Sequence, residues 1–162
     1  MNSSFYRQPH IIAAGAWLLV VIMLGGLLTD LSPWYFSLKH PDWKPPDWAF
    51  GIIWTSIFLC AFFAWILAWS KSSTKIQKKI LSILFLSNGF LNLFWSVLYF
   101  KLHRPDWSLF EALFLWASVL GIIVYSWGLS RQASLFMLPY IVWVSVAILL
   151  NLETIRLNGP FQ

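Results

Sequence analysis

One cysteine, Cys60, stands among 162 residues. No intrachain disulfide, Cys-x-x-Cys motif or thiolate metal cage can be built from it, and its apolar surroundings read as packing. Charge is equally scarce. Only 10% of the residues are charged, against about 25% in soluble domains. The three histidines, His10, His40 and His103, have no spacing that would place two on one helical metal site. There is no Walker A loop, no Gly-x-Gly-x-x-Gly, no His-Glu-x-x-His and no nucleophile elbow. These absences remove the apparatus of a nucleotide-driven pump, a metalloprotease or an α/β-hydrolase. The formal charge of +5 is small and clustered. It reads as membrane orientation, with no role in binding nucleic acid.

What fills the chain is apolar: 59% hydrophobic residues, 12 of the 162 being tryptophan. Five runs approach spanning length, about 17–25 residues each. They cover Ile11–Leu28, Ala49–Trp69, Ile80–Phe100, Leu109–Leu129 and Ala133–Leu152. None alternates as a barrel strand would, so the expected fold is an all-α integral membrane protein, a five-transmembrane-helix bundle. It forms one domain over 1–162. The first apolar run follows Arg7 without a convincing cleavage site and reads as a retained span. An odd number of spans puts the termini on opposite faces. Arg7, Lys71, Lys75, Lys78, Lys79 and Arg131 fall on one face; Lys39, Lys44, Lys101, Arg104 and Arg156 fall on the other. The count is nearly even, and the lysine-dense 70–79 loop favours a cytoplasmic N-terminus in the cell membrane.

The connection 29–48 contains His40-Pro-Asp-Trp-Lys-Pro-Pro-Asp-Trp48, and Pro-Asp-Trp recurs at 105–107. All three copies share one membrane face. A bland reading suffices for much of this: proline breaks the chain, aspartate favours a helix start, and tryptophan anchors at the interface. Asp47 fits a helix start, and Ser108 to Glu111 reads as a capping box opening the fourth span. Beneath this face lie polar and aromatic stripes. Asn88, Asn92, Trp95 and Tyr99 share one face of the third span, as do Tyr140, Trp143, Ala147 and Asn151 in the fifth. Each amide has two readings, interhelical bonding or ligand contact, and the two can coexist. The aromatic stripe Trp54, Phe58, Phe62, Trp65 and Trp69 reads mainly as packing, with Trp54 singled out below the loop. A cavity in this half of the bundle would suit a flat, largely apolar ligand. Trp43, between prolines, is the expected lid residue.

Pro41-Asp-Trp-Lys-Pro-Pro-Asp-Trp-Ala-Phe-Gly-Ile-Ile-Trp54 resembles the signature of the translocator protein family, also called tryptophan-rich sensory proteins. Asn92-Leu-Phe-Trp95-Ser96, Leu138-Pro-Tyr-Ile-Val-Trp143, Asn151 and Arg156-Leu-Asn158 resemble its later motifs. The resemblance implies a membrane receptor or sensor, commonly a homodimer, surrounded by lipid. Its ligands would be porphyrins (protoporphyrin IX or haem) and isoquinoline carboxamide or benzodiazepine compounds, with no obligatory cofactor and no metal. By residue match, Trp34, Trp43, Trp54, Asn88, Asn92, Trp95, Trp143 and Ala147 would line or gate the pocket. A light-dependent porphyrin-degrading activity would use Trp34 and Trp143; transport is a further alternative, though no coupling-ion site is evident. Three positions depart from the family pattern. Ile52 replaces a usual proline, a small change of entry to the second helix; Val97 replaces another, so a straighter third helix is expected; and Leu152 removes the animal cholesterol motif.

Overall fold

The computed structural model describes residues 9–161; Arg7, used above for orientation, lies outside them. The helices are α1 (Pro9–Leu28), α2 (Pro33–Ser37), α3 (Asp47–Lys71), α4 (Lys75–Ser96), α5 (Pro105–Trp127), α6 (Arg131–Phe136) and α7 (Leu138–Asn158). A π turn, Val97–Lys101, extends α4. Five stretches among the described residues are long and apolar enough to cross a bilayer. They are Pro9–Leu28, Asp47–Lys71, Lys75–Lys101, Pro105–Trp127 and Arg131–Asn158. At about 1.5 Å per residue, even the shortest reaches roughly 30 Å.

Local chemistry sets the boundaries. The tight connection before α4 ends in a capping box. Thr74 Oγ1 accepts from Gln77 N (3.1 Å), and Gln77 Oε1 accepts from Thr74 N (3.1 Å). The capping box expected at Ser108 is not formed. α5 starts a turn earlier because Pro105 occupies its first turn, where a missing N–H costs nothing. Ser108 Oγ instead donates back to Pro105 O (2.9 Å), and Glu111 lies inside the span. Asp47 does sit in the first turn of α3. Ser130 Oγ accepts from Ala133 N (3.3 Å) and caps α6. Met137 separates α6 from α7, whose first turn contains Pro139.

The third span is not the straight α-helix expected from Val97. Leu102 N donates to Val97 O (3.0 Å), an i→i+5 bond. This wider turn lets three consecutive residues, Leu98, Tyr99 and Phe100, all be buried.

The spans close into a ring. α1 packs on α3 and α4, α4 on α5, α5 on α7 and α6, and α6 on α3. α3 touches α7 only lightly. The bundle is therefore tight around α6 and parts between α3 and α7 toward the 29–46 connection. In the tight half, Ala14, Ala61, Ala64 and Ala68 are fully buried and let backbones approach. Trp65 stacks on Phe85 (5.0 Å between ring centroids), and Trp17 meets Phe58, Trp65 and Phe85 edge-on. Trp65 and Phe58 thus belong to the core, as their stripe suggested.

Candidate functional site

The parted half encloses a cavity of about 590 Å³. That is within the range used for drug-sized ligands, about 300–1,000 Å³. Its walls come from all five spans. Trp54 and Phe58 project from α3, Asn92, Trp95 and Ser96 from α4, Ala112 and Leu115 from α5, and Trp143, Ala147 and Asn151 from α7. α1 contributes Gly25 and Gly26, and the first loop contributes Tyr35, His40 and Lys44.

Of the eight residues expected to form the site, five line the cavity: Trp54, Asn92, Trp95, Trp143 and Ala147. The stripe geometry explains this, because each lies on the helix face turned into the ring. Trp54 stacks over Phe58 (5.4 Å), and Phe50 meets Trp143 edge-on (5.7 Å). Trp143 Nε1 is buried without a hydrogen-bond partner, so an indole N–H is held in the wall. Asn92 Nδ2 makes one long bond to Tyr140 Oη (3.4 Å). That bond competes weakly with any ligand acceptor.

The other three sit elsewhere. Asn88 is fully buried one turn deeper, where its Nδ2 donates to Ser118 Oγ (2.9 Å) and ties α4 to α5. This is the interhelical role. Trp34 lies on α2, stacked on His103 at 4.0 Å and edge-on to Tyr99 at 6.1 Å. It pins the first loop to the 102–104 connection behind the cavity wall. Trp43 stands at the tip of a turn closed by Lys44 N donating to Pro41 O (2.9 Å), and it is half exposed. The next residue along, Lys44, is the one turned inward. Trp48, read from sequence as a helix start, reaches the cavity rim.

The covering loop is held by groups that periodicity could not reveal. Tyr35 Oη donates to Asp47 Oδ1 (2.7 Å), and Lys44 pairs with the same carboxylate. Burial, then the Asp47 hydrogen bond and charge, push the Tyr35 phenol well above its ordinary range. Lys39 N donates to Asn158 Oδ1 and Asn158 Nδ2 donates to Lys39 O, both at 2.8 Å. This two-bond clasp joins the loop to the end of α7. Lys101 and Asp30 form a looser exposed pair (3.5 Å). Burial, then the nearby Lys44 charge, lower the pKa of His40 at the cavity mouth. No cluster of three potential metal-ligating side chains occurs among the described residues.

The family model described as TspO/MBR matches residues 13–157. This chain belongs to the TspO/MBR family. It is 30% identical to Protein CrtK of Rhodobacter capsulatus, over 82% of this chain and 83% of that protein. It is 32% identical to the tryptophan-rich protein TspO of Chlorobaculum tepidum, over 78% of this chain and 81% of that protein. The human translocator protein is 24% identical over 73% of this chain and 70% of its own length. Membership and the five apolar spans make this a multi-pass membrane protein. The matched region includes every residue of the five spans and the first loop that lines the cavity.

Proposed function

We propose that this TspO/MBR protein is a receptor or sensor for porphyrins and similarly flat, mostly apolar ligands. The observation that carries this is the cavity wall: three indoles, Trp54, Trp95 and Trp143, from three different spans around one space, with the Asn92 amide among them. Indole faces complement a planar π-system, and the few polar groups would fix its orientation. His40 and Lys44 at the mouth would meet peripheral carboxylates. Isoquinoline carboxamides would use the same rings and offer their amide to Asn92 or Trp143.

Titrating protoporphyrin IX into the protein in nanodiscs should quench tryptophan fluorescence saturably. Ala147→Trp, which fills the cavity, should weaken binding at least about 5-fold, since overfilling a site costs roughly 1–3 kcal/mol. Saturable binding with unchanged affinity in Ala147→Trp and Trp143→Phe would remove the ligand from this cavity. Light-dependent porphyrin degradation is a second reading. Here it is favoured by Trp143 alone, because Trp34 lies behind the wall. Illumination of the bound porphyrin should then bleach it faster in the native chain than in Trp143→Phe. The proposal also includes a homodimer in the cell membrane with the N-terminus and the lysine-rich 70–79 loop cytoplasmic. Cysteine accessibility at Lys79 against Lys39 in sealed cells tests that orientation.

A further inference from the structure

The cavity is not equally closed on all sides. None of its lining residues on α4, α5 or α7 is exposed. The exposed ones lie on α1, on the stretch just after it, and on α3. Two helical faces account for this. Ile22, Gly26 and Thr29 follow one another at helical spacing along α1 and its end, and Thr55, Gly51 and Trp48 do so along α3. All six line the cavity. In the other half of the bilayer the same two faces meet. A Cβ on Gly15 of α1 would touch Phe62 Cε2 of α3 at 3.9 Å. Gly26 lies eleven residues from Gly15, and Gly51 eleven from Phe62. Eleven residues make about three turns, so both glycines return to those faces. There a Cβ on either glycine would meet nothing within 4 Å. The α1–α3 seam is thus closed by a phenyl ring at one level and open at the level of the two glycines.

We propose that Gly26 and Gly51 frame a lateral doorway, through which a flat apolar ligand enters the cavity edge-on from the lipid while the first loop stays shut. From Trp48 to Thr55 the opening runs about 10 Å along α3, from the helix start into the apolar span. Its two hydroxyls offer no obstacle. Thr29 Oγ1 donates to Gly25 O (2.8 Å) and Thr55 Oγ1 to Gly51 O (2.7 Å), so each is satisfied within its own helix. An apolar edge can pass them without stripping a polar group of its partner. The aqueous side is fastened instead. The Asn158–Lys39 clasp and the contacts of Tyr35 and Lys44 with Asp47 would all have to break for entry through the loop. The doorway takes its ligand from the receptor reading above, but its existence can be tested without that reading.

Ala147→Cys in a Cys60→Ala background puts the chain's one thiol on the cavity wall. In nanodiscs, N-(1-pyrenyl)maleimide, a flat apolar reagent, should label it from the lipid. Adding Gly51→Phe restores at this level the kind of ring that closes the seam at Phe62. Labelling should then slow about 5-fold or more, equivalent to about 1 kcal/mol of added barrier. Gly26→Phe gives the same closure from the facing helix, should Gly51→Phe not fold. Ile52→Phe, at an exposed position that does not line the cavity, should leave the rate unchanged. Asn158→Ala, which frees the loop, should not raise it. Protoporphyrin IX loaded beforehand should leave Gly51→Phe more slowly than the native chain, whereas a side chain that merely crowded the ligand would speed its release. Native-rate labelling in the glycine variants, or faster labelling in Asn158→Ala, would overturn the doorway. Slowed labelling without saturable porphyrin binding would uphold the doorway and remove the receptor reading.

Discussion

Replacing Asn158 by alanine should unfasten the loop over the cavity. The clasp consists of two hydrogen bonds at 2.8 Å between the Asn158 amide and the Lys39 backbone. Each contributes about 0.5–1.5 kcal/mol net, so their loss removes roughly 1–3 kcal/mol from the closed loop. That corresponds to about a 5- to 140-fold change in the opening equilibrium. The third bond of Asn158, to Thr154 O, lies within α7 and does not hold the loop. Hydrogen exchange followed by mass spectrometry reads the result. The informative amides are those closed by the loop itself: Phe36 to Ser32 O, Leu38 to Tyr35 O and Lys44 to Pro41 O. All three should exchange faster in Asn158→Ala, while amides in the middle of α4 stay protected. Asn158→Asp keeps the acceptor for Lys39 N and loses the donor, and should fall between. If Phe36, Leu38 and Lys44 exchange at the native rate in Asn158→Ala, the loop is held by its other contacts and the clasp argument fails.

Gly89→Ala should lower the melting temperature in detergent, because its Cβ would lie 2.5 Å from Trp17 Nε1 and 3.1 Å from Val21 Cγ2. Overpacking of that kind costs about 1–3 kcal/mol, and an unchanged melting curve would contradict the α1–α4 packing. Trp34→Ala should raise loop exchange as Asn158→Ala does, through loss of the His103 stack, while changing porphyrin affinity less than Trp143→Phe. The opposite ranking would return Trp34 to the cavity. His40 has a lowered pKa in the folded protein, so the folded state binds fewer protons than the unfolded one. Its stabilising contribution is complete above the ordinary value of 6.5 and falls away as pH drops from there through the folded value. Thermal scans between pH 7.5 and about 5 should show that decline, reduced in His40→Gln.

The spans were readable because lipid imposes a one-sided rule: some 20 apolar residues in a row must be helical. Their ends were less so. Pro105 and Thr74 start helices earlier than the apolar runs do, since capping chemistry operates outside the hydrophobic pattern. Within the cavity, periodicity located Trp54, Asn92, Trp95, Trp143 and Ala147, because facing inward is a helical property. It could not separate Asn88 from Asn92, which share a face and differ by one turn of depth. The loop was opaque to periodicity altogether. Trp43 and Lys44 are neighbours pointing opposite ways, and only the turn between Pro41 and Lys44 decides which faces inward. The Asn158–Lys39 clasp spans 119 positions and uses backbone atoms, which leave no mark in sequence.

The cavity sits among spanning helices, on the side where α3 and α7 part. A flat, mostly apolar ligand of the kind proposed would therefore be drawn from a compartment in which apolar molecules are already enriched. The concentration that governs occupancy is the one in the leaflet, set by partitioning. An affinity quoted against the aqueous concentration will drift with the lipid-to-protein ratio, even though nothing about Trp143 or Ala147 has changed. Dilution by added lipid should thus empty the cavity at constant total ligand.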